Sequence, residues 1–313
     1  MKVGKVSETI LKRSIFKQIR TKREEVLLGA GVGEDCAAVK LEPGEVFVLS
    51  TDPITGTVKD VGTLAIQVTV NDLASSGAEP VGVMLTVLLP KDITEADIRE
   101  MMSQVEEACS RFRIQVMGGH TEVTRAVTQP VISVTGVGKA REDRLITTAG
   151  AKAGQDILVT KWIGIEGTSI LAKEKEEELQ TRFSPDFVET AKGFDQYLSV
   201  LPEARLAGKF GVSAMHDVTE GGIYGALWEL AEASGIGLEI DLKSIPIRQE
   251  TVEICEYFGL NPYYLISSGC MLMAADRGHD LARELVRAGI PASVIGKAAE
   301  GKARRILNGE EET

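Results

Sequence analysis

Short β-rich runs alternate with helical stretches along this chain, and that alternation confines it to layered α/β architectures. Val46 to Leu49 is apolar and β-branched and reads as a buried strand ending in Ser50-Thr51-Asp52-Pro53. After Asp60, placed to cap a helix, Val61, Leu64, Ala65 and Val68 recur at helical spacing, with Gly77 as the stop. Val81 to Leu89 is a long strand closed by Pro90. Thr94 and Asp97 form a capping box ahead of a helix that carries Ile98, Met101, Met102, Val105, Cys109 and Phe112 on one face. Ile114 to Met117 and Val131 to Val137 read as further strands, and the polar stretch from Arg141 to Gly154 as a linker. Beyond it, a charged helix around Lys173 to Leu179 runs into Ser184-Pro185. Gly221 to Ala233 carries Ile223, Leu227, Leu230 and Ala231 at helical spacing. Leu238, Ile240 and Leu242 alternate with Glu239 and Asp241, the period of a half-exposed strand. With 313 residues and about 150 per domain, the expectation is two domains, 1–149 and 150–313. Each is built of α+β layers rather than a Rossmann array.

Charge and composition remove several function classes. The chain has 46 acidic and 35 basic side chains, a formal charge of -11, and neither half is basic enough to favour a polyphosphate duplex. The densest basic run, Lys12 to Arg23, is interleaved with Ile15, Phe16 and Ile19 at helical spacing and reads as a solvated helix face. No apolar run reaches the roughly 18 residues of a membrane span. Four cysteines without a C-x-x-C pair, and three histidines, argue against structural zinc or a disulfide framework. The start, Met1-Lys2-Val3-Gly4-Lys5, lacks a signal-peptide core, so a reducing, cytoplasmic setting is expected.

Several stretches carry chemistry. Gly31-Val32-Gly33-Glu34-Asp35-Cys36-Ala37-Ala38 is a glycine loop whose N–H groups suit an anion and whose carboxylates suit a metal, or else a plain turn. Asp52 lies where a strand emerges, as a functional carboxylate or as an Asx-turn before Pro53. Asp72 falls four residues after Val68, on the apolar stripe of its helix. A buried carboxylate there needs a cation, unless the helix ends near Val70 and Asp72 caps a turn. Gly118-Gly119-His120-Thr121-Glu122 follows a strand and gathers backbone donors with two titratable groups; His120 is a general base, a phosphate ligand or a structural histidine. His216-Asp217-Val218-Thr219-Glu220-Gly221-Gly222 opens a helix, with Asp217 or Thr219 as its cap and an anion site at its N-terminus. His279 reads as a solvated surface residue. No Walker loop and no G-x-S-x-G elbow is present, so any nucleotide site is built another way.

Taken in order, these stretches, with Asn261-Pro262-Tyr263-Tyr264-Leu265 and Val294-Ile295-Gly296-Lys297, resemble the aminoimidazole-ribonucleotide (AIR) synthetase superfamily over nearly the whole chain. Its members include selenophosphate synthetase, thiamine-monophosphate kinase and the hydrogenase maturation protein HypE, whose spacing is most similar. The resemblance implies a two-domain PurM-like fold, with an N-terminal sheet that forms a shared barrel in a homodimer and a C-terminal α/β domain. It implies ATP and Mg²⁺ as cofactors. Asp35, Asp52 and Asp72 match metal positions, and Gly33, Gly118, Gly119 and Thr121 match nucleotide-binding positions beside Asp35 and Asp52. His120 and Asp217 are the candidate catalytic residues, Asp217 matching an acidic position in the second-domain loop. The shared chemistry is activation of an acceptor oxygen by phosphoryl transfer, which needs positioning and charge neutralisation more than covalent help.

The departures from HypE are specific. Its C-terminal Pro-Arg-Ile-Cys is replaced by Arg304-Arg305-Ile306-Leu307, and the last cysteine is Cys270. Where HypE has Asp then Thr-Lys the chain has His120-Thr121-Glu122, and where HypE has Glu before a glycine it has Ser268 before Gly269. The expectation is an ATP-dependent enzyme with a different, freely diffusing small-molecule or carboxamide acceptor. The alternatives are a kinase like thiamine-monophosphate kinase and a non-catalytic nucleotide-binding assembly protein. No nucleic-acid or membrane partner is expected.

Overall fold

The computed structural model describes residues 4–31, 36–55, 61–309 and 311–312. The chain divides into two compact units, one running to Leu145 without Ser75–Gly77, the other formed by Ser75–Gly77 and Ile146 onward.

The N-terminal unit starts with β1 (Gly4–Lys5) and a helical segment that begins as α1 (Glu8–Ile10) and widens to π geometry over Leu11–Phe16. A small hairpin, β2 (Val26–Leu28) and β3 (Ala38–Val39), follows. Then come β4 (Glu45–Thr55), α2 (Val61–Ser75), β5 (Glu79–Leu89), α3 (Glu95–Phe112), β6 (Gln115–Val123) and β7 (Val131–Arg141). The main sheet has the order β1-β6-β5-β7-β4, with only β5 and β6 parallel, joined across α3. The apolar run Val81 to Leu89 is therefore a central strand and not a sheet edge. The Thr94–Asp97 capping box forms as expected. α2 starts at Val61; the expected cap Asp60 lies outside the described residues.

Alternation along β4 separates two faces. Val48, Ser50, Asp52 and Ile54 are half-buried on the helix side, where Leu73, Ala78, Ala140 and Val48 pack together. Phe47 and Leu49 point the other way and stand 46% and 64% exposed. Period two thus puts Ser50 and Asp52 on the face opposite Phe47 and Leu49.

The C-terminal unit contains β8 (Asp156–Thr160), α4 (Ile165–Glu174), α5 (Glu176–Leu179), α6 (Pro185–Lys192), α7 (Leu201–Phe210), β9 (Ala214–Val218) and α8 (Gly222–Ser234). β10 (Gly237–Asp241), α9 (Gln249–Phe258), β11 (Cys270–Ala275), α10 (Gly278–Arg287), β12 (Ala292–Ala299), β13 (Arg304–Asn308) and β14 (Glu311–Glu312) complete it. Its sheet has the order β14-β13-β10-β12-β8-β11-β9. Ile223, Leu227 and Leu230 of α8 bury their stripe against Ile157, Val159, Leu272 and Ala274 of the sheet. The stretch expected as a linker holds the end of β7 and two 3-10 turns, Glu142–Arg144 and Thr148–Gly150.

Candidate functional site

The end of α2 meets the middle of β4 at a small acidic cluster. Ser50 and Asp52 lie two residues apart and so share a face of β4. The Ser50 hydroxyl donates to Asp72 Oδ2 and lies 3.4 Å from Asp52 Oδ2. α2 continues to Ser75, so Asp72 is a helix residue and not a cap beyond Val70. Its burial differs from the expectation: Leu64, Val68 and Asp72 form the half-covered stripe of a helix buried on most other positions. Asp52 is also placed differently. It sits within a strand that runs on to Thr55, neither at a strand exit nor in an Asx-turn, and Pro53 is accommodated because β4 is an edge strand.

A half-buried carboxylate in the last turn of α2, where there is no basic residue, and a second one near it on β4 concentrate negative potential. Hard oxygen donors in this number suit Mg²⁺, which takes one or two carboxylates and fills its other positions with phosphate oxygens and water. The residues present therefore fit that ion. Asp35 and Gly33 lie outside the described residues. Ser50 had no assigned role in the sequence; its i, i+2 relation to Asp52 is the signal that would have found it.

The Gly118-Gly119 stretch does not follow a strand but lies in the interior of β6. Gly119 has φ +145°, and a Cβ there would sit 2.0 Å from the Leu85 carbonyl oxygen, so the bulged pairing of β5 and β6 admits only glycine. Gly118, Gly119, His120 and Thr121 border a cavity of about 700 Å³, with Met84, Thr86 and Thr135 on the sheet and Leu11, Ile15 and Phe16 of the first helical segment. That volume is in the range of small-ligand sites. Strand alternation turns His120 and Thr121 to opposite faces: Thr121 is buried, while His120 is exposed with Nε2 3.3 Å from Glu122 Oε2. The pairing Asp52↔Val134↔Leu85↔Gly119 runs across the sheet. His120 is thus three strand spacings, about 14 Å, from Asp52 and on the other face.

In the C-terminal unit, His216 and Asp217 belong to β9 and do not open the helix. α8 is preceded by Gly221 in the left-handed region, with no side-chain cap, so neither Asp217 nor Thr219 caps it. His216 is tied between Glu229, 2.8 Å from Nε2, and the Thr148 hydroxyl, 3.2 Å from Nδ1. Asp217 is buried beneath this surface. His279 is exposed, as read. Burial pushes the Cys255 thiol up to about 11 and the Cys270 thiol to about 12, so neither offers a thiolate at neutral pH. One acid went unnoticed in the sequence. Glu166, in the first turn of α4, is 5% exposed, and its Oε2 has no hydrogen-bond partner.

Comparison with known proteins adds family information. The model of the AIR synthase related protein N-terminal domain matches residues 33–140, and that of the C-terminal domain matches 152–307. A putative hydrogenase expression/formation protein of Methanocaldococcus jannaschii is 30% identical over 295 residues, covering 90% of this chain and 84% of its own. The carbamoyl dehydratase HypE of Cupriavidus necator is 30% identical over 275 residues, covering 82% and 76%. Among solved structures, hydrogenase maturation protein HypE in complex with ATP superposes with a TM-score of 0.83 at 21% identity, covering 99% of this chain and 94% of that one. Thiamine-monophosphate kinase from Stenotrophomonas maltophilia does so with 0.78 at 21%, covering 99% of both. At such identities the structures establish the shared PurM-like two-domain fold.

Proposed function

The chain belongs to the AIR synthase related family, and we propose that it is an ATP- and Mg²⁺-dependent enzyme that activates an oxygen of a small-molecule or carboxamide acceptor by phosphoryl transfer. The observation that carries this reading is the convergence of Ser50, Asp52 and Asp72 at the end of α2. Asp52 and Asp72, with Asp35, would hold Mg²⁺, which supplies charge neutralisation to the phosphates when bound. Ser50 holds Asp72 in place through its hydroxyl. Gly33, Gly118, Gly119 and Thr121 are the nucleotide-binding residues of this reading. Gly118, Gly119 and Thr121 border the cavity described above. His120, whose Nε2 lies 3.3 Å from Glu122 Oε2 on the other face of the sheet from Asp52, is the proposed general base, and Asp217 is the acid of the second unit in the same proposal.

A homodimer is part of the proposal, supported by Phe47 and Leu49 on the exposed face of the edge strand β4. The relatives named as carbamoyl dehydratase favour a carbamoyl or other carboxamide acceptor. Cys109, Cys255 and Cys270 are too buried to carry the reacting group, while Cys36 is exposed. The test is ADP release with purine, thiamine and carboxamide candidates, with and without Mg²⁺. Acceptor-stimulated, Mg²⁺-dependent release supports the proposal; absence of any Mg²⁺-ATP binding refutes it.

A further inference from the structure

In the C-terminal unit a groove of about 550 Å³ runs between α7 and α10, and none of the candidate site residues above lines it. α10 has two faces. Leu281 and Leu285 turn inward and are fully buried. Asp280, Arg283, Glu284 and Arg287 recur three and four residues apart and line the groove on the outer face. α7 supplies the other wall through Leu206, Lys209 and Phe210, again three and four residues apart. Phe210 is half-buried, and the Arg277 guanidinium, just ahead of α10, lies 5.1 Å from its ring centroid.

Four cations, Lys209, Arg277, Arg283 and Arg287, thus meet two acids in a chain whose formal charge is -11. The acids do not use the cations up. Arg283 pairs with Asp280, and Arg287 Nη1 lies 2.5 Å from Glu284 Oε1, each within one turn of α10. Arg277 Nη1 stands 3.9 Å from Asp280 Oδ2. A guanidinium has five N–H donors, and a bidentate carboxylate takes two of them. The three arginine side chains remain 66–71% exposed. The acids of α10 therefore hold the forks in place and leave donors for further carboxylates.

Small ligands are bound where the protein encloses most of their surface, and these cationic heads stand in water. A nucleic-acid strand is opposed by Asp280, Glu284 and the overall charge. An acidic protein segment meets neither objection, since exposed arginines around an apolar floor are what protein interfaces favour. The net negative charge repels such a segment over much of the surface and so steers it to this groove. We propose that the α7–α10 groove docks an acidic segment of a partner protein. Its carboxylates pair with Lys209, Arg283 and Arg287, and an apolar side chain between them seats on Leu206 and Phe210.

The test is fluorescence anisotropy with a labelled peptide of four Glu-Glu-Leu repeats, added to the full chain at about 50 mM salt, where surface charges are only partly screened. Saturable binding that weakens as salt is raised is expected. Arg283→Gln/Arg287→Gln should raise the dissociation constant about tenfold or more, and glutamine keeps the helix propensity of α10. Lys17→Gln/Arg20→Gln removes two exposed cations from the densest basic run of the sequence and should leave binding within about twofold of wild type. A peptide of Glu-Glu-Ser repeats has the same charge and should bind more weakly, because it lacks the apolar anchor. Circular dichroism on the same samples checks that the variants are folded. No binding by wild type, equal loss in the two double variants, or equal affinity for the serine peptide overturns the proposal. Tripolyphosphate displacing the peptide more effectively than unlabelled peptide does would assign the groove to a small anion, and tighter binding of an oligouridylate of matched charge would assign it to nucleic acid; either result overturns the proposal as well.

Discussion

The two units use mixed sheets to opposite ends. In the C-terminal unit every residue of β8 and β11 is buried, and ionic groups inside are matched, as with Lys161 Nζ 2.5 Å from Glu203 Oε1. In the N-terminal unit β4 leaves one face bare, and its polar residues on the other face reach only half burial. Strands buried on both faces commit their side chains to packing, whereas a half-covered strand sets carboxylates where a ligand can meet them. Glu166 departs from that pattern, since its Oε2 is buried without a hydrogen-bond partner.

That contrast can be broken by substitution, beginning where the effect is greatest. Lys161→Ala strands the buried Glu203 charge and should cost about 3–5 kcal/mol in denaturant unfolding. A loss below about 1 kcal/mol would mean that the C-terminal core tolerates open charge after all. Gly119→Ala forces a side chain into left-handed backbone against the Leu85 carbonyl and should cost about 1–3 kcal/mol from strain, more if the strands part. It should also weaken nucleotide binding, so unchanged titration would detach the cavity from the nucleotide. Leu49→Asp on the bare face should leave chain stability within about 0.5 kcal/mol while sedimentation shifts from dimer to monomer. A wild-type monomer at micromolar concentration would remove the homodimer.

The smallest effect is electrostatic. The Arg23 guanidinium holds the Glu25 carboxyl well below its ordinary value, at about 2, by hydrogen bonding. A depressed acid stabilises fully above its unfolded pKa and loses that contribution as pH falls through its folded value. Arg23→Gln should therefore lower the thermal midpoint at pH 7 by an amount worth about 1 kcal/mol or less, discounted for solvent screening. The gap to wild type should close between about pH 4.5 and pH 2. A gap independent of pH would assign the effect to Arg23's bonds to the Pro80 and Arg113 carbonyls instead.

Much of this was legible in the sequence because periodicity reports burial directly. The strands around Val81 and Val131, the helix after Thr94 and the half-exposed strand at Leu238 all follow from local pattern. What failed was local reading of residues whose state is set by distant partners. Asp52 looked like a strand end because Pro53 follows it, yet an edge strand tolerates proline. Gly118-Gly119 read as a segment that follows a strand, but it lies inside β6, where Gly119 answers to the Leu85 carbonyl on the neighbouring strand. His216 and Asp217 looked like the start of a helix, whereas Gly221 and Gly222 make that turn. The half burial of Asp72 needed the sheet, and the tie between Glu166 and Ser268 joins segments no window contains.

The central claim is that the Ser50–Asp52–Asp72 cluster binds the metal of a Mg²⁺-nucleotide. Calorimetric titration of Asp72→Asn with Mg²⁺-ATP tests it most directly, because Asn keeps the shape and a hydrogen-bonding oxygen for Ser50 but removes the charge. Losing a supporting residue around a metal typically costs 10- to 100-fold in affinity, so losing a direct ligand should cost about 100-fold or more. The unliganded fold should survive, since Asp72 is only half-buried. Wild-type affinity in the mutant, with the same dependence on Mg²⁺, would make Asp72 a structural residue and contradict the account.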